Sequence, residues 1–301
     1  MRMLVTGGAG FVGTNLIKRL LKDGHEVVSV DNYSAGKKEN HQDGCRYHDF
    51  DLSSPHTLGI YVDHGSYPAW RDNDYDVIFH MSALARIQPS INNPHKTIFN
   101  NFVSTLNILE YARKKNIEFV YAGSSSVHHG LYGSPYAWSK FSGEELCKLY
   151  SSVYDVSTSI CRFYNVYGPY QVEEGTWATI IGKFENQFRN NKPLTIVGDG
   201  EQRRDFTHID DIVDGLIRIS RAMHGEVDMR YAGEVLELGK GKNYSINEVA
   251  DMFGKDYPRV KLPSQPGEYD RTLADYSLAH DMLDWSPKVD LNEYVKSIVG
   301  E

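Results

Sequence analysis

The feature that most constrains this chain lies at its amino-terminal end. Met3–Val5 is a short apolar run that stops at Thr6-Gly7-Gly8-Ala9-Gly10-Phe11-Val12-Gly13. It continues into an amphipathic stretch with Leu16, Ile17, Leu20 and Leu21 on one face and Gly24 as a stop. A strand, a glycine loop and a helix in that order leave little choice of local fold. Gly7 permits the tight turn, Gly10 lets a pyrophosphate approach the backbone, and Gly13 lets the helix pack close to the sheet, with Phe11 and Val12 between them at the helix start. A second strand-like run, His25–Val30, ends at Asp31-Asn32. An acid there accepts both ribose hydroxyls of an adenosine and repels a 2′-phosphate, so the segment predicts a dinucleotide site that takes NAD rather than NADP.

The same alternation continues. Strand-like runs occur at Asp76–Phe79, Phe119–Tyr121 and Thr158–Arg162, with helical patterns at Pro94–Lys115 and Tyr136–Tyr154 between them. Apolar strands alternating with amphipathic helices call for a parallel sheet covered on both faces: an α/β, Rossmann-type doubly wound fold. The stretch from Gly36 to Ala69 is mixed and shows no clear element. After Asn165 the pattern loosens, with turn residues at Gly168-Pro169, Gly198, Gly200, Pro258, Pro263 and Pro266. We therefore expect residues 1–165 to form the dinucleotide domain and 203–222 to return to it, a helix over Asp210–Arg221 included. A smaller substrate lobe is expected over 166–202 and 223–301.

With 32 basic against 40 acidic residues the 301-residue chain carries −8, which speaks against a nucleic-acid surface but not against a small anion held by local arginines. Cys45, Cys147 and Cys161 stand at no metal-like spacing and predict a reducing, cytoplasmic setting. No run of apolar residues is long enough to span a membrane.

Tyr136-Ala137-Trp138-Ser139-Lys140 places Tyr136 and Lys140 one helical turn apart on one face. A phenol is a poor base at neutral pH, and a neighbouring ammonium brings it into working range. Such a pair is common on helix surfaces, and Ser124-Ser125-Ser126 is by itself an ordinary polar turn. Together they suggest a hydroxyl at a strand end relaying a proton to a tyrosine base. His208-Ile209-Asp210-Asp211 reads as a helix cap with an aspartate in the capping role, and His128-His129 lacks a partner at ligand spacing, so no metal site is expected.

With these residues goes a resemblance. TGGAGFVG at 6–13, Asp31-Asn32, His80-Met81-Ser82-Ala83, Asn101, the serine run, YAWSK, RFYNVYGP at 162–169, GDGEQRRDF at 198–206 and PGEYDRT occur in order along nearly the whole chain. The chain resembles the extended short-chain dehydrogenase/reductase family, specifically its nucleotide-sugar epimerases and dehydratases, and is closest in pattern to 4-epimerases of UDP-glucose and UDP-N-acetylglucosamine. The resemblance implies that Asp51-Leu52 contact the adenine and that Ala83 and Asn101 line the NAD site. It implies that Asn165 and Arg204 hold a diphosphate, that Thr179-Ile180 and Thr195–Val197 enclose the base, and that Arg86, Ser125, Ser126 and Arg271 belong to the substrate site. It also implies a homodimer built on the helices Pro94–Lys115 and Tyr136–Tyr154.

Dehydratases of this family carry an Asp-Glu pair just after the catalytic hydroxyl, where this chain has Ser125-Ser126, so epimerisation at C4 of a UDP-sugar is the expected reaction. A dehydratase, decarboxylase or net dehydrogenase is the second reading, and a non-catalytic NAD-binding regulator the third. Three departures stand out: only eleven residues separate Ser124 from Tyr136, His128 replaces a usual tyrosine, and Gln265 replaces a diphosphate-binding arginine. In related epimerases the residue seven positions beyond that arginine lines the sugar pocket near C2. Here it is Thr272, small enough to predict admission of N-acetylhexosamines.

Overall fold

The computed structural model describes residues 1–54, 69–226, 233–267 and 269–300. Part of the mixed stretch, residues 55–68, and Glu268 of the late motif lie outside them.

The amino-terminal half reads β1 (Arg2–Thr6), α1 (Phe11–Lys22), β2 (Glu26–Asp31), β3 (Arg46–Asp49), β4 (Val77–His80), α2 (Ile87–Asn92), α3 (Pro94–Lys115), β5 (Glu118–Ser124), α4 (Pro135–Tyr154) and β6 (Thr158–Phe163). There follow β7 (Val166–Tyr167), α5 (Ile180–Arg189), β8 (Leu194–Val197), β9 (Arg203–Asp205), β10 (Thr207–His208) and α6 (Ile209–Arg221). The chain ends with β11 (Val235–Leu238), β12 (Asn243–Ser245), α7 (Ile246–Met252), β13 (Arg259–Leu262), α8 (Ser277–Leu283) and α9 (Leu291–Val299).

Among the described residues the main sheet has seven parallel strands in the order β11-β6-β5-β4-β1-β2-β3. The strand alternation explains its two covered faces. Met3 and Val5 of β1 meet Leu16, Ile17 and Leu20 of α1 and the apolar side of α6, while Leu4 between them meets Ile108 and Leu109 of α3. Such fully buried aliphatic side chains each contribute roughly 1.5–3 kcal/mol. α3 begins at Pro94 with the Asn93 side chain accepting from Lys96 N–H, and ends in three basic residues. Those are the start and stop signals its sequence carries. A third cluster, Phe184, Leu194, Ile196, Val249, Phe253 and Val295 among others, forms the core of the carboxy-terminal elements.

The expected partition needs one correction. β11 pairs with β6 at the edge of the main sheet, and Ala279 and Leu283 of α8 pack under it. The segment from 223 onward is therefore shared between the sheet and the lobe. Val235–Leu238 is short and carries a glutamate, which hid it. β3 was hidden likewise: Arg-Tyr-His-Asp is an edge strand, where no two-sided apolar pattern is required. Arg271 forms an isolated bridge with Arg203.

The strand order reverses between β1 and its two neighbours β2 and β4. In an open parallel sheet a crevice forms outside the carboxyl ends of the strands at that switch point. The glycine loop, Asp31, His80, Ser124 and Asn165 all stand at or just beyond carboxyl ends of strands of this sheet.

Candidate active site

A single cavity of about 650 Å³ runs along those strand ends and into the lobe. At one end lies the glycine loop. Gly7 has φ +70°, and a Cβ on Gly13 would stand 2.2 Å from the Gly7 carbonyl oxygen, so neither position admits a side chain. A Cβ on Gly10 would meet only that oxygen, at 3.3 Å, so this glycine leaves the backbone open to the cavity. α1 starts at Gly10 with no side-chain cap, so its first N–H groups and its positive dipole end stay available to an anion. Asp31 is 7% exposed; its carboxylate accepts from Ala9 N–H at 3.0 Å and Tyr33 N–H at 2.8 Å. Burial pushes its pKa up, and those two N–H bonds oppose the shift. Two lone-pair positions remain for a ribose diol. Phe11, Val12, Asn32, Asp51 and Leu52 line the same end, whereas Asp49 turns to Lys38 at the surface. These residues fit an adenine dinucleotide.

Ala83 follows on the wall. Asn101 clamps its loop: the amide oxygen accepts from Leu84 N–H at 2.8 Å and the amide nitrogen donates to Ser139 Oγ at 3.0 Å. Beyond it β5 ends at Ser124, whose Oγ accepts from Ser126 Oγ at 3.0 Å and is hydrogen-bonded to the Tyr136 phenol. Ser134 caps α4 through Ala137 N–H and Pro135 opens it, which sets Tyr136 in the first turn. Tyr136 N–H donates to Ser90 Oγ of α2 at 3.2 Å, tying its backbone to the neighbouring helix. Burial raises the Tyr136 pKa; the Ser124 hydrogen bond and the Arg86 cation pull it down.

Lys140 is not on the cavity wall. Its ammonium lies 4.4 Å from the Tyr121 ring centroid, one turn behind Tyr136, and burial lowers its pKa to about 8 against the pull of Glu144. Ser124 and Tyr136 are thus brought together at the cavity, while Lys140 lies inside the fold against Tyr121, and the charge that acts on the Tyr136 phenol is that of Arg86.

At the far end Asn165, Thr179, Ile180, Thr195, Val197 and Arg204 all line the cavity. Thr179 caps α5 by accepting from Gly182 N–H. Arg204 donates to the carbonyls of Arg203 and Tyr269 and stacks over the Tyr269 ring at 4.7 Å. Two expectations fail here. Arg271 is exposed and does not line the cavity. Thr272 is 3% exposed and off the wall: its hydroxyl accepts from Asp205 N–H at 2.9 Å and from the Asn165 amide at 3.4 Å. Core hydrogen bonding, rather than a sugar gate, accounts for this threonine.

Other wall residues escaped the sequence reading. Lys183 of α5, Trp177 and Tyr269 all line the cavity. A half-buried lysine in an amphipathic helix, as Lys183 is, looks in sequence like any solvated lysine. His128 finds a partner far away in sequence: it is hydrogen-bonded to Glu237 of β11, which also accepts from the Tyr164 hydroxyl at 2.7 Å. The cap of α6 is His208, whose Nδ1 accepts from Asp210 N–H at 3.2 Å, in place of the expected aspartate.

Known proteins are similar to this chain over most of its length. The sequence pattern of the NAD dependent epimerase/dehydratase family matches residues 3–232. A putative UDP-glucose 4-epimerase of Methanocaldococcus jannaschii is 29% identical, over 99% of this chain and 97% of its own length. Among solved structures, UDP-glucose 4-epimerase of Thermotoga maritima with UDP-glucose superposes with a TM-score of 0.88 at 26% identity, covering 100% of this chain and 98% of that one. UDP-glucuronic acid 4-epimerase of Bacillus cereus, in complex with UDP-glucuronic acid and NAD, superposes with a TM-score of 0.83 at 28% identity and the same coverage.

Proposed function

The chain belongs to the NAD-dependent epimerase/dehydratase family, and from that premise we propose that it inverts C4 of a hexose carried on UDP. The observation that carries this reading is the composition of the wall around Tyr136. Ser124, Ser125, Ser126 and Tyr136 stand there, and the acids among the described lining residues, Asp31 and Asp51, lie at the dinucleotide end. Elimination of water from the sugar needs an acid and a base beside C5 and C6, and among the described residues no carboxyl group lines that part of the wall. Inversion at C4 needs, beside the hydride transfer, one reversible proton transfer at O4.

In this reading Tyr136 takes the O4 proton through the Ser124 hydroxyl, and the same pair returns it. Bound NAD supplies reversible hydride transfer at C4. The 4-keto sugar turns over in the cavity between removal and return of the hydride, so the opposite face is reduced. Arg204 and Asn165 hold the diphosphate, and Thr179, Ile180, Thr195 and Val197 the base.

The experiment is a product assay. Pure protein is incubated with UDP-hexoses while sugar products and the absorbance of reduced nicotinamide are followed. A C4 isomer without net NADH supports the reading; stoichiometric NADH, loss of carbon or a deoxy product replaces it with another reaction of the scaffold.

The reading includes a homodimer. Phe99, Trp138, Leu149, Val153 and Tyr154 are exposed apolar side chains on α3 and α4, a surface suited to a second copy. A monomer by light scattering at micromolar concentration removes the dimer and leaves the chemistry untouched. No described helix is long and apolar enough to cross a membrane. Three free cysteines, two of them buried, support a cytoplasmic setting.

A further inference from the structure

Three cations line the cavity among the described residues: Arg86, Lys183 and Arg204. Lys183 lies on α5 beside Thr179 and Ile180, and Arg204 is fixed by two carbonyls next to Tyr269, so both serve the nucleotide half. Arg86 stands elsewhere. It stands at the N-cap position of α2, Ser90 of that helix binds the backbone of Tyr136, and the Arg86 charge acts on the Tyr136 phenol, so the guanidinium belongs to the sugar end.

Its bonding is incomplete. Nε donates to the Trp177 carbonyl at 3.1 Å, which fixes the plane of the guanidinium fork. Its two terminal nitrogens find no acceptor among the described residues, and no carboxylate pairs with it. Tyr136 is the titratable group that faces it, and burial works against its charge. A half-buried guanidinium on the cavity wall with no anion beside it has five donors where one carbonyl uses a single one. Stapling α2 to Trp177 alone would need no charge.

We infer that Arg86 reads an anionic substituent on the sugar, and that the substrate class is a UDP-hexuronate whose C6 carboxylate is held by the free side of the fork. The inference rests on the proposed reading of the cavity as a nucleotide-sugar site. The chemistry is favourable from both sides: a planar fork matches a carboxylate bidentately, and among the described residues the sugar end of the wall carries no acid to repel it. Neutral sugars leave the two terminal nitrogens unpaired.

The test compares kcat/KM for UDP-glucuronate and UDP-glucose in the wild type, Arg86→Gln and Arg86→Lys, with full pH profiles. The wild type is expected to favour the uronate by about tenfold or more, the scale of one charge-assisted hydrogen bond. Arg86→Gln collapses that ratio to near one, mainly through KM, and Arg86→Lys restores part of it. A ratio unmoved by Arg86→Gln, or a wild type that favours the neutral sugar, overturns the inference. So does an equal fall for both sugars with a shifted pH profile, because Arg86 would then act through Tyr136. If neither sugar is converted, the epimerase reading fails, and titration of the NAD-loaded protein decides for Arg86. Tighter uronate binding that is lost in Arg86→Gln supports it, and equal affinities overturn it.

Discussion

The two ends of the cavity are built by different means. At the dinucleotide end the shape comes from backbone: a glycine with positive φ, a helix start left uncapped, and a carboxylate already held by two N–H groups. At the sugar and nucleotide end it comes from side chains brought in by separate segments, Arg86 on α2, Trp177 between β7 and α5, Arg204 on β9 and Tyr269 beyond β13. Backbone constraints leave few tolerable residues, so that end is rigid and tied to one ligand class. Side chains can be exchanged singly, so the other end is where related proteins can differ in substrate without changing fold.

The junction between the ends should be the most sensitive point. Tyr136→Phe is expected to keep the fold and NAD binding while lowering turnover by a factor on the order of a hundred or more. Near-normal turnover would remove the base and the mechanism together. The next effect belongs to the backbone-built end. Gly13→Ala forces a Cβ to 2.2 Å from the Gly7 oxygen and 2.6 Å from Gly8 Cα. It should cost about 1–3 kcal/mol of stability, with weakened NAD binding. If calorimetry and titration both show wild-type values, the rigid picture of that end is wrong. Asp31→Ala should leave the shape but remove the selection: a preference for NAD over NADP of at least about tenfold, or about 1.4 kcal/mol, should narrow.

At the other end Thr272→Val sharpens the comparison. The threonine hydroxyl accepts from the buried Asp205 N–H, so the valine should cost about 1–3 kcal/mol in unfolding experiments. The ratio of activities on N-acetylated and plain hexoses should stay unchanged; a changed ratio would return Thr272 to the sugar wall. The smallest effect concerns pH. Burial would raise the Glu237 pKa, but hydrogen bonds from His128, Tyr164 and Asp275 N–H outweigh it and hold it at about 2, below its ordinary 4.5. A depressed carboxylate contributes stability above pH 4.5 that disappears as pH falls toward 2. His128→Ala should lessen this acid-linked loss. Because His128 is 43% exposed on its side chain, the change in Tm is expected to be on the order of a degree or two.

Legibility in the sequence followed the same division. The glycine loop, Asp31 and the bounds of α3 could be read because each depends on residues adjacent in the chain. Tyr136 and Lys140 could be paired from helical spacing, but that spacing does not say that Lys140 stays behind the wall on Tyr121. Asp51-Leu52, Asn165 and Arg204 were named through resemblance, and the structure sets them on the cavity wall. Thr272 failed because a count of positions along a loop does not see Asp205, nearly seventy residues earlier, whose N–H claims its hydroxyl. β11 failed because a glutamate in a four-residue run looks like surface until His128, Tyr164 and Arg162 are found around it.

The position of β11 bears on how the protein is made. β6 is complete at residue 163, but the strand that covers its free edge ends at residue 238, and α6, which covers one face of the sheet, ends at residue 221. During synthesis at ≈ 5–20 residues/s the growing chain therefore carries an open parallel edge and an apolar face covered by α1 alone for several seconds, while the lobe emerges in between. An exposed edge of that kind templates pairing with other chains. A polypeptide stopped after residue 165 would hold the entire glycine loop and the Ser124–Tyr136 pair and still lack the cover for its own sheet. Its expected fate is aggregation rather than a small NAD-binding domain.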